Sequence, residues 1–484
     1  MRYDGTKTRS GFNTRAIGCS LALAAAILSA CSTGPRKLEA AHAKPVAPEA
    51  KVAAERQAEK SGVGVHLNLQ TTILPNGLKV VLIEDPTVPI VSYQTWYNVG
   101  SADEHLGITG ISHFFEHLMF KGTPRYPAKE FFRQLEAKGA EVNAFTTRDY
   151  TVYYENFIPS YLEKAIDMES DRMQNLKLDD EVLNSERMVV LEERRLRTDN
   201  TPEGRMQEAL WQLAYRYNSY QWPVIGYPQD VLSLTLQDLQ SWYKSHYQPK
   251  NATIVVVGAI KADQTLALIR KHYGSIPGVG VPVPEIFAEP EQNEERRLVL
   301  YDDESSERFA EAYHVTSAAD EDSYALDVLS NILFTGTTSR GWRAMVEDHE
   351  IALGVSSENY TPAHPGLFII SGTMKSGVKT DKAEVALDEL IRKVQDQGVT
   401  AEEIRIAVRQ LTVQLIDSVR TPYGMGTLVG TANAVLGDPS LYASDLAKYL
   451  KVTPEDVKRV AQKYLQPNNR SVVIMMPKKV AMSR

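Results

Sequence analysis

The 484-residue chain is poor in several things at once, and each shortage removes a class of explanation. It holds only two cysteines, Cys19 and Cys31, so a disulfide scaffold is excluded and the fold must rest on an apolar core. It has no basic tract, and its formal charge is −8, which argues against nucleic acid as a partner. Its one long apolar run, Ala16 to Ala30, is too short to cross a bilayer. Large apolar side chains are nearly missing from Ser32 to Val65, where Ala, Pro, Lys and Glu dominate; such a stretch cannot bury a core and reads as a tether. Histidine is scarce too, at ten residues, yet two of them fall in one short stretch.

The N-terminal run has the layout of an export signal. Arg2, Lys7, Arg9 and Arg15 precede the apolar segment, which ends in Leu28-Ser29-Ala30-Cys31. Small residues before a cysteine resemble the lipobox of bacterial lipoproteins, in which cleavage leaves Cys31 as the acylated N-terminus. Ser32 after it, in place of Asp, resembles lipoproteins sorted to the outer membrane and facing the periplasm. The expected organisation is a signal peptide over 1–30, a tether over 31–65, and two folded halves over 66–280 and 281–484, joined near the Gly/Pro/Glu-rich stretch 278–295.

The stretch Ser112-His113-Phe114-Phe115-Glu116-His117-Leu118-Met119-Phe120 follows a Gly-rich loop, Gly100 to Gly110. Its apolar residues surround the helix, which predicts burial, and a buried helix carrying two histidines and a glutamate needs partners for them. His113 and His117 at i and i+4 project from one helical face. Two neutral imidazoles so spaced can hold one Zn²⁺, and Glu116 beside them can take a proton from a water that the metal acidifies. The order His-x-x-Glu-His is the inverted form of the metalloprotease helix. A second helix, predicted from Asp179 to about Arg197, carries Glu186 and Glu193 seven residues apart on one face, Glu193 lying 76 residues after His117. One of these glutamates can complete a His₂Glu site while the other orients a histidine.

The chain also repeats itself. Leu234-Thr235-Leu236-Gln237-Asp238-Leu239 and Gln248-Pro249-Lys250-Asn251 align without gaps to Val452-Thr453-Pro454-Glu455-Asp456-Val457 and Gln466-Pro467-Asn468-Asn469, 218 residues on. Each copy runs into a strand. Two related halves follow, each a sheet with helices on one face.

These pieces, with Phe120-Lys121-Gly122-Thr123, Asn143-Ala144-Phe145-Thr146 and Glu186 to Glu193, resemble the pitrilysin family of inverted zincins, which includes insulin-degrading enzyme and the mitochondrial processing peptidase. The resemblance covers most of 70–484. It implies an α+β fold of two homologous halves, each a mostly antiparallel sheet, together forming half of a clamshell. It implies one Zn²⁺ per chain on His113, His117 and Glu193, with Glu116 as general base and Glu186 behind a histidine. It further implies that peptide substrate adds as a strand along Asn143, Ala144 and Phe145. Many relatives place an Arg and, seven residues later, a Tyr in the second half; here those positions fall on Val346 and Leu353, which donate no side-chain hydrogen bond. The expectation is therefore an envelope zinc metallopeptidase working as a heterodimer with an Arg/Tyr-bearing subunit, or as a homodimer. The rivals are a non-catalytic assembly subunit and a zinc-binding lipoprotein. A structural role has no use for Glu116, Glu186 and Glu193 alongside both histidines.

Overall fold

The computed structural model describes residues 67–137, 139–282 and 286–478. The signal, the tether and Cys31 lie outside the described residues. β1 (Leu69–Ile73) turns back through Pro75-Asn76-Gly77 into β2 (Lys79–Glu84), with Gly77 at φ +89° as the Asn-Gly pair predicts. Then come β3 (Val91–Tyr97), α1 (Ile111–Leu118), α2 (Ala128–Glu136), β4 (Glu141–Thr146), β5 (Thr151–Phe157), α3 (Leu162–Asn175), α4 (Asp180–Arg194), α5 (Pro202–Ala214), α6 (Pro228–Ser233), α7 (Leu236–His246), β6 (Ala252–Gly258) and α8 (Ala262–Tyr273). The second series has β7 (Arg296–Asp302), β8 (Arg308–His314), α9 (Asp322–Phe334), β9 (Ala352–Tyr360), β10 (Leu367–Met374), α10 (Thr380–Gln397), α11 (Ala401–Ser418), α12 (Pro422–Leu436), α13 (Pro454–Tyr464) and β11 (Arg470–Pro477). None of the described helices is long and apolar enough to cross a membrane.

The first sheet runs β1-β2-β6-β3-β5-β4 and the second β7-β11-β8-β10-β9. Apart from β1, the two orders are the same, with one parallel pair (β2–β6, β7–β11) and the rest antiparallel. Even the register repeats: Lys79 faces Thr253 in the first sheet, and Arg296 faces Ser471, the residue 218 positions after Thr253, in the second. The repeated helix before the last strand begins both times with a capping box, Thr235 with Asp238 and Thr453 with Asp456.

Alternation along the strands splits the core into layers. In the first sheet Val80, Leu82, Ile254 and Val256 pack under α1, α3, α7 and α8, while Val81, Ile83, Val255 and Val257 face the other way. That second face is covered by α12 of the other half, through Met425, Val429, Ala432 and Leu436. The exchange is mutual. α5 of the first half lies across β7, β8 and β11, burying Met206, Leu210 and Trp211 against Ala310, Ala312, Val473 and Met475. Both crossing helices start alike, with Thr201 and Thr421 accepting from Gly204 N and Gly424 N and proline in the first turn. The register-equivalent cations finish them: Arg296 Nη1 donates to Ala214 O (2.5 Å), and Lys79 Nζ to Gly437 O (3.0 Å) and Asn433 Oδ1 (2.6 Å). Helices on one face was the sequence expectation; the lent helix makes each sheet a buried middle layer.

Candidate active site

The helix bearing the paired histidines begins at Gly110, φ +88°, which has no side chain to cap it. Glu104 does that from the preceding loop: its Oε2 accepts from Gly110 N at 2.7 Å and its Oε1 from Ser112 N at 2.8 Å, placing a carboxyl at the positive end of α1. Asp230 Oδ2 holds the same loop through Thr109 Oγ1 (2.6 Å) and Gly107 N (3.1 Å). Gly226 passes so close that a Cβ there would lie 2.3 Å from Thr109 O. Arg194 joins this corner to α4 and α5, donating to Gly226 O (2.8 Å) and lying 2.8 Å from Glu208. α1 and α4 are thus fixed against each other before any ligand is considered.

α1 is buried through Ile111, Phe114, Phe115 and Leu118, as its composition predicts. It sets the His113 and His117 rings 4.9 Å apart. α4 starts at an Asp179 cap that accepts from Val182 N, and it brings Glu186 and Glu193 to the same place. Glu193 Oε2 lies 2.9 Å from His117 Nε2 and 3.8 Å from His113 Nε2. His117 Nδ1 is 3.6 Å from Glu186 Oε2. One donor atom from each of His113, His117 and Glu193 falls within 4.8 Å of the other two, and no other such cluster occurs among the described residues. Tetrahedral zinc with bonds of about 2.0–2.1 Å separates its ligands by roughly 3.3 Å, and the observed separations bracket that. The donor set, two imidazoles and a carboxylate, fits zinc in a site open for a further ligand.

The electrostatics set the two histidines apart, and His117 must give up a proton before its Nε2 can hold an ion. Burial lowers His113 to about 4, so its imidazole is neutral with a lone pair to give. Burial would lower His117 too, but hydrogen bonds with Glu186 and Glu193 outweigh it and raise it to about 9. Its hydrogen bond with His117 holds Glu193 low, and Arg197 lies 2.5 Å from Oε1 of the same carboxylate. Burial raises Glu116, offset by the hydroxyl of Thr146, which donates to Glu116 Oε2 at 2.7 Å.

Thr146 ends β4, the outer strand of the first sheet, whose far edge pairs with no other strand among the described residues. Asn143 is exposed there and its Oδ1 accepts from Ala144 N at 2.9 Å; Ala144 is buried. The Phe145 ring turns inward, 6.3 Å from Trp96 and from Tyr150, into the cluster between the halves. Val346 is half-buried against the second core, and Leu353 is 58% exposed on β9, so neither position supplies a donor. Glu104 and Asp230 were not singled out in the sequence, and Thr146 stood there only inside a quoted motif, with no role of its own. The signal for Glu104 was a helix opening on glycine with a carboxylate shortly upstream; Asp230, over a hundred residues away, left none.

Residues 79–227 match the family described as Insulinase (Peptidase family M16), and residues 233–411 match the Peptidase M16 inactive domain. The zinc protease PqqE of Helicobacter pylori is 29% identical over 84% of this chain and 93% of its own length. An uncharacterised zinc protease of Mycobacterium leprae is 30% identical over 88% of this chain and 95% of its own. The crystal structure of a protease from Helicobacter pylori superposes with a TM-score of 0.81 at 28% identity, covering 85% of this chain and all (100%) of that one.

Proposed function

The chain belongs to the M16 (insulinase) family of peptidases, and on that premise we propose that it is a zinc endopeptidase of the bacterial envelope that hydrolyses unstructured peptides. The observation that carries the proposal is the meeting of His113, His117 and Glu193 beside a carboxylate, Glu116, that is tied to an open strand edge. His113, His117 and Glu193 would hold the ion, which when bound supplies a Lewis acid for the scissile carbonyl and acidifies a water. The residues around it do the rest. Peptide main chain pairs with the Asn143-Ala144 edge, a mode that grips a backbone whatever its side chains. Glu116, oriented through Oε2 by Thr146, takes the proton of the attacking water on Oε1 and delivers it to the leaving amine. Glu186, with Oε2 3.6 Å from His117 Nδ1, faces that ring from behind and orients it by its charge.

Cys31 carries the lipid in this reading, anchoring the chain to the outer membrane on its periplasmic side. Val346 and Leu353 favour a second subunit that supplies the missing Arg and Tyr, with a homodimer as the other arrangement. The same two residues support a second reading, a non-catalytic assembly relative.

The deciding experiment is digestion of an unstructured-peptide library by zinc-loaded chain lacking residues 1–31, beside a Glu116→Gln control. Cleavage that drops by about 10³-fold in the control establishes the peptidase and its base. Zinc retained without cleavage by the lone chain, and none after adding a related Arg/Tyr subunit, leaves the assembly role. The anchor has its own check: Cys31→Ser moves the chain from the membrane to the soluble fraction.

A further inference from the structure

Glu186 presents its two oxygens to two partners. Its side chain is 3% exposed; Oε2 lies 3.6 Å from His117 Nδ1, and Oε1 lies 2.5 Å from Lys121 Nζ. Lys121 ends the tight turn Met119–Lys121 that continues α1, four residues after His117, so both side chains reach α4 from one face. The chain then leaves at once through Gly122, φ +79°, where a Cβ would lie 2.3 Å from Tyr126 O. That close approach fixes where the lysine stem starts. No other ion pair of Lys121 occurs among the described residues, and its side chain is only 33% exposed. A carboxylate buried this deeply needs its charge matched and its lone pairs filled, and one imidazole N–H does not suffice.

We propose that Lys121 is a positioning residue of the metal centre: it pins Glu186 so that Glu186 faces His117 Nδ1, leaving the Nε2 lone pair aimed at the point shared with His113 and Glu193. The chain of contacts is Lys121 to Glu186 to His117, with the first link outside the ligand set and partly open to solvent. The inference rests on the zinc-ligand reading above, and metal affinity tests it without any need for hydrolysis.

Zinc affinity of the full chain is measured by chelator competition for the parent, Lys121→Gln, Lys121→Arg, Glu186→Gln and the Lys121→Gln/Glu186→Gln double variant. Loss of such an outer partner typically weakens metal binding by about 10–100-fold, and that is the expected effect of Lys121→Gln. Lys121→Arg keeps a cation in reach and restores most of the affinity. The double variant binds no more weakly than Glu186→Gln alone, because both changes break one chain. With cobalt in place of zinc, the visible ligand-field bands shift in Lys121→Gln and return in Lys121→Arg. Parent-like affinity in Lys121→Gln overturns the inference, as does a double variant in which the two losses add. A parent that binds no zinc sinks the zinc-ligand reading itself, and the inference falls with it.

Discussion

The two halves of this molecule share a sheet order, a strand register and a capped helix before the last strand, yet among the described residues only one gathers a ligand set. α4 and α11 show where they part. Their caps, Asp179 and Thr400, stand 221 residues apart, and three pairs of buried positions keep that spacing: Leu183 with Ile404, Glu186 with Ala407, Arg194 with Leu415. Glu193 then corresponds to Gln414. The next helices begin at Thr201 and Thr421, only 220 apart, so the first half holds one residue more. The π-helical turn Arg195–Asp199, which follows Arg194 at the end of α4, takes up that residue, and within it Arg197 lies 2.5 Å from Glu193 Oε1. The shared scaffold carries a site in one copy, where α1 supplies two histidines and α4 two carboxylates; at the positions of Glu186 and Glu193 the other copy has the buried Ala407 and the exposed Gln414.

If that account is right, the largest contrast lies at Glu193. Glu193→Ala is expected to weaken zinc binding by more than about 100-fold, beyond the usual effect of an outer partner. Gln414→Ala, its counterpart, leaves zinc affinity at the parent value by chelator competition; equal losses at both would break the comparison.

The exchanged helices should matter to both halves. Trp211 of α5 is buried between Tyr215, Tyr360 and the Arg148 guanidinium, 3.5 Å from the ring centre, so Trp211→Ala should cost about 3–5 kcal/mol. On α12 the tight point is Gly430, where a Cβ would lie 2.1 Å from the Trp96 indole. Gly430→Ala should cost about 1–3 kcal/mol by overpacking. Denaturant melts of the two variants should each remain a single transition; separate unfolding of the halves would show that the exchange does not couple them.

A smaller test uses the matched cations. Lys79→Met and Arg296→Met each remove a charged donor from the end of a lent helix and should cost about 1.5 kcal/mol apiece. Similar values sharpen the symmetry, and a loss at one position alone argues against it.

The subtlest difference is one of pH. Glu311 on β8 faces Val472, and its counterpart Thr95 on β3 faces Ile254, so the second sheet buries a carboxyl where the first has a hydroxyl. Burial raises Glu311 to about 7 against the 4.5 of a free side chain, although Arg470 lies 3.6 Å away. A raised carboxyl binds its proton more tightly when folded. Its contribution is complete below about pH 4.5 and is lost as pH rises through about 7. Melting temperature should fall over that window, and Glu311→Gln should flatten the fall. An unchanged slope would place the titration elsewhere.

Much of the site was legible before any coordinates. A helix shows its face through i, i+4 spacing, so His113 and His117 could be paired by counting, and a gapless repeat needs only the letters. Glu193 was harder: spacing offered both Glu186 and Glu193, and only the family resemblance chose between them. Phe145 lies on the edge strand β4 with its ring in the contact between halves, a placement no motif could give.

What the sequence determined by itself was local or periodic: the histidine pair, the helix start at Asp179, and the repeat that holds Thr235 and Thr453. These depend on interactions within a few residues, or on likeness that distance does not erase. Only the tertiary structure decided that α5 and α12 change sides, that Asp230 braces the loop before α1, and that Lys121 and Glu186 meet behind His117. Contacts across tens to hundreds of residues leave no period in a single chain, because they are selected by the packing of whole faces and become visible only once those faces have met.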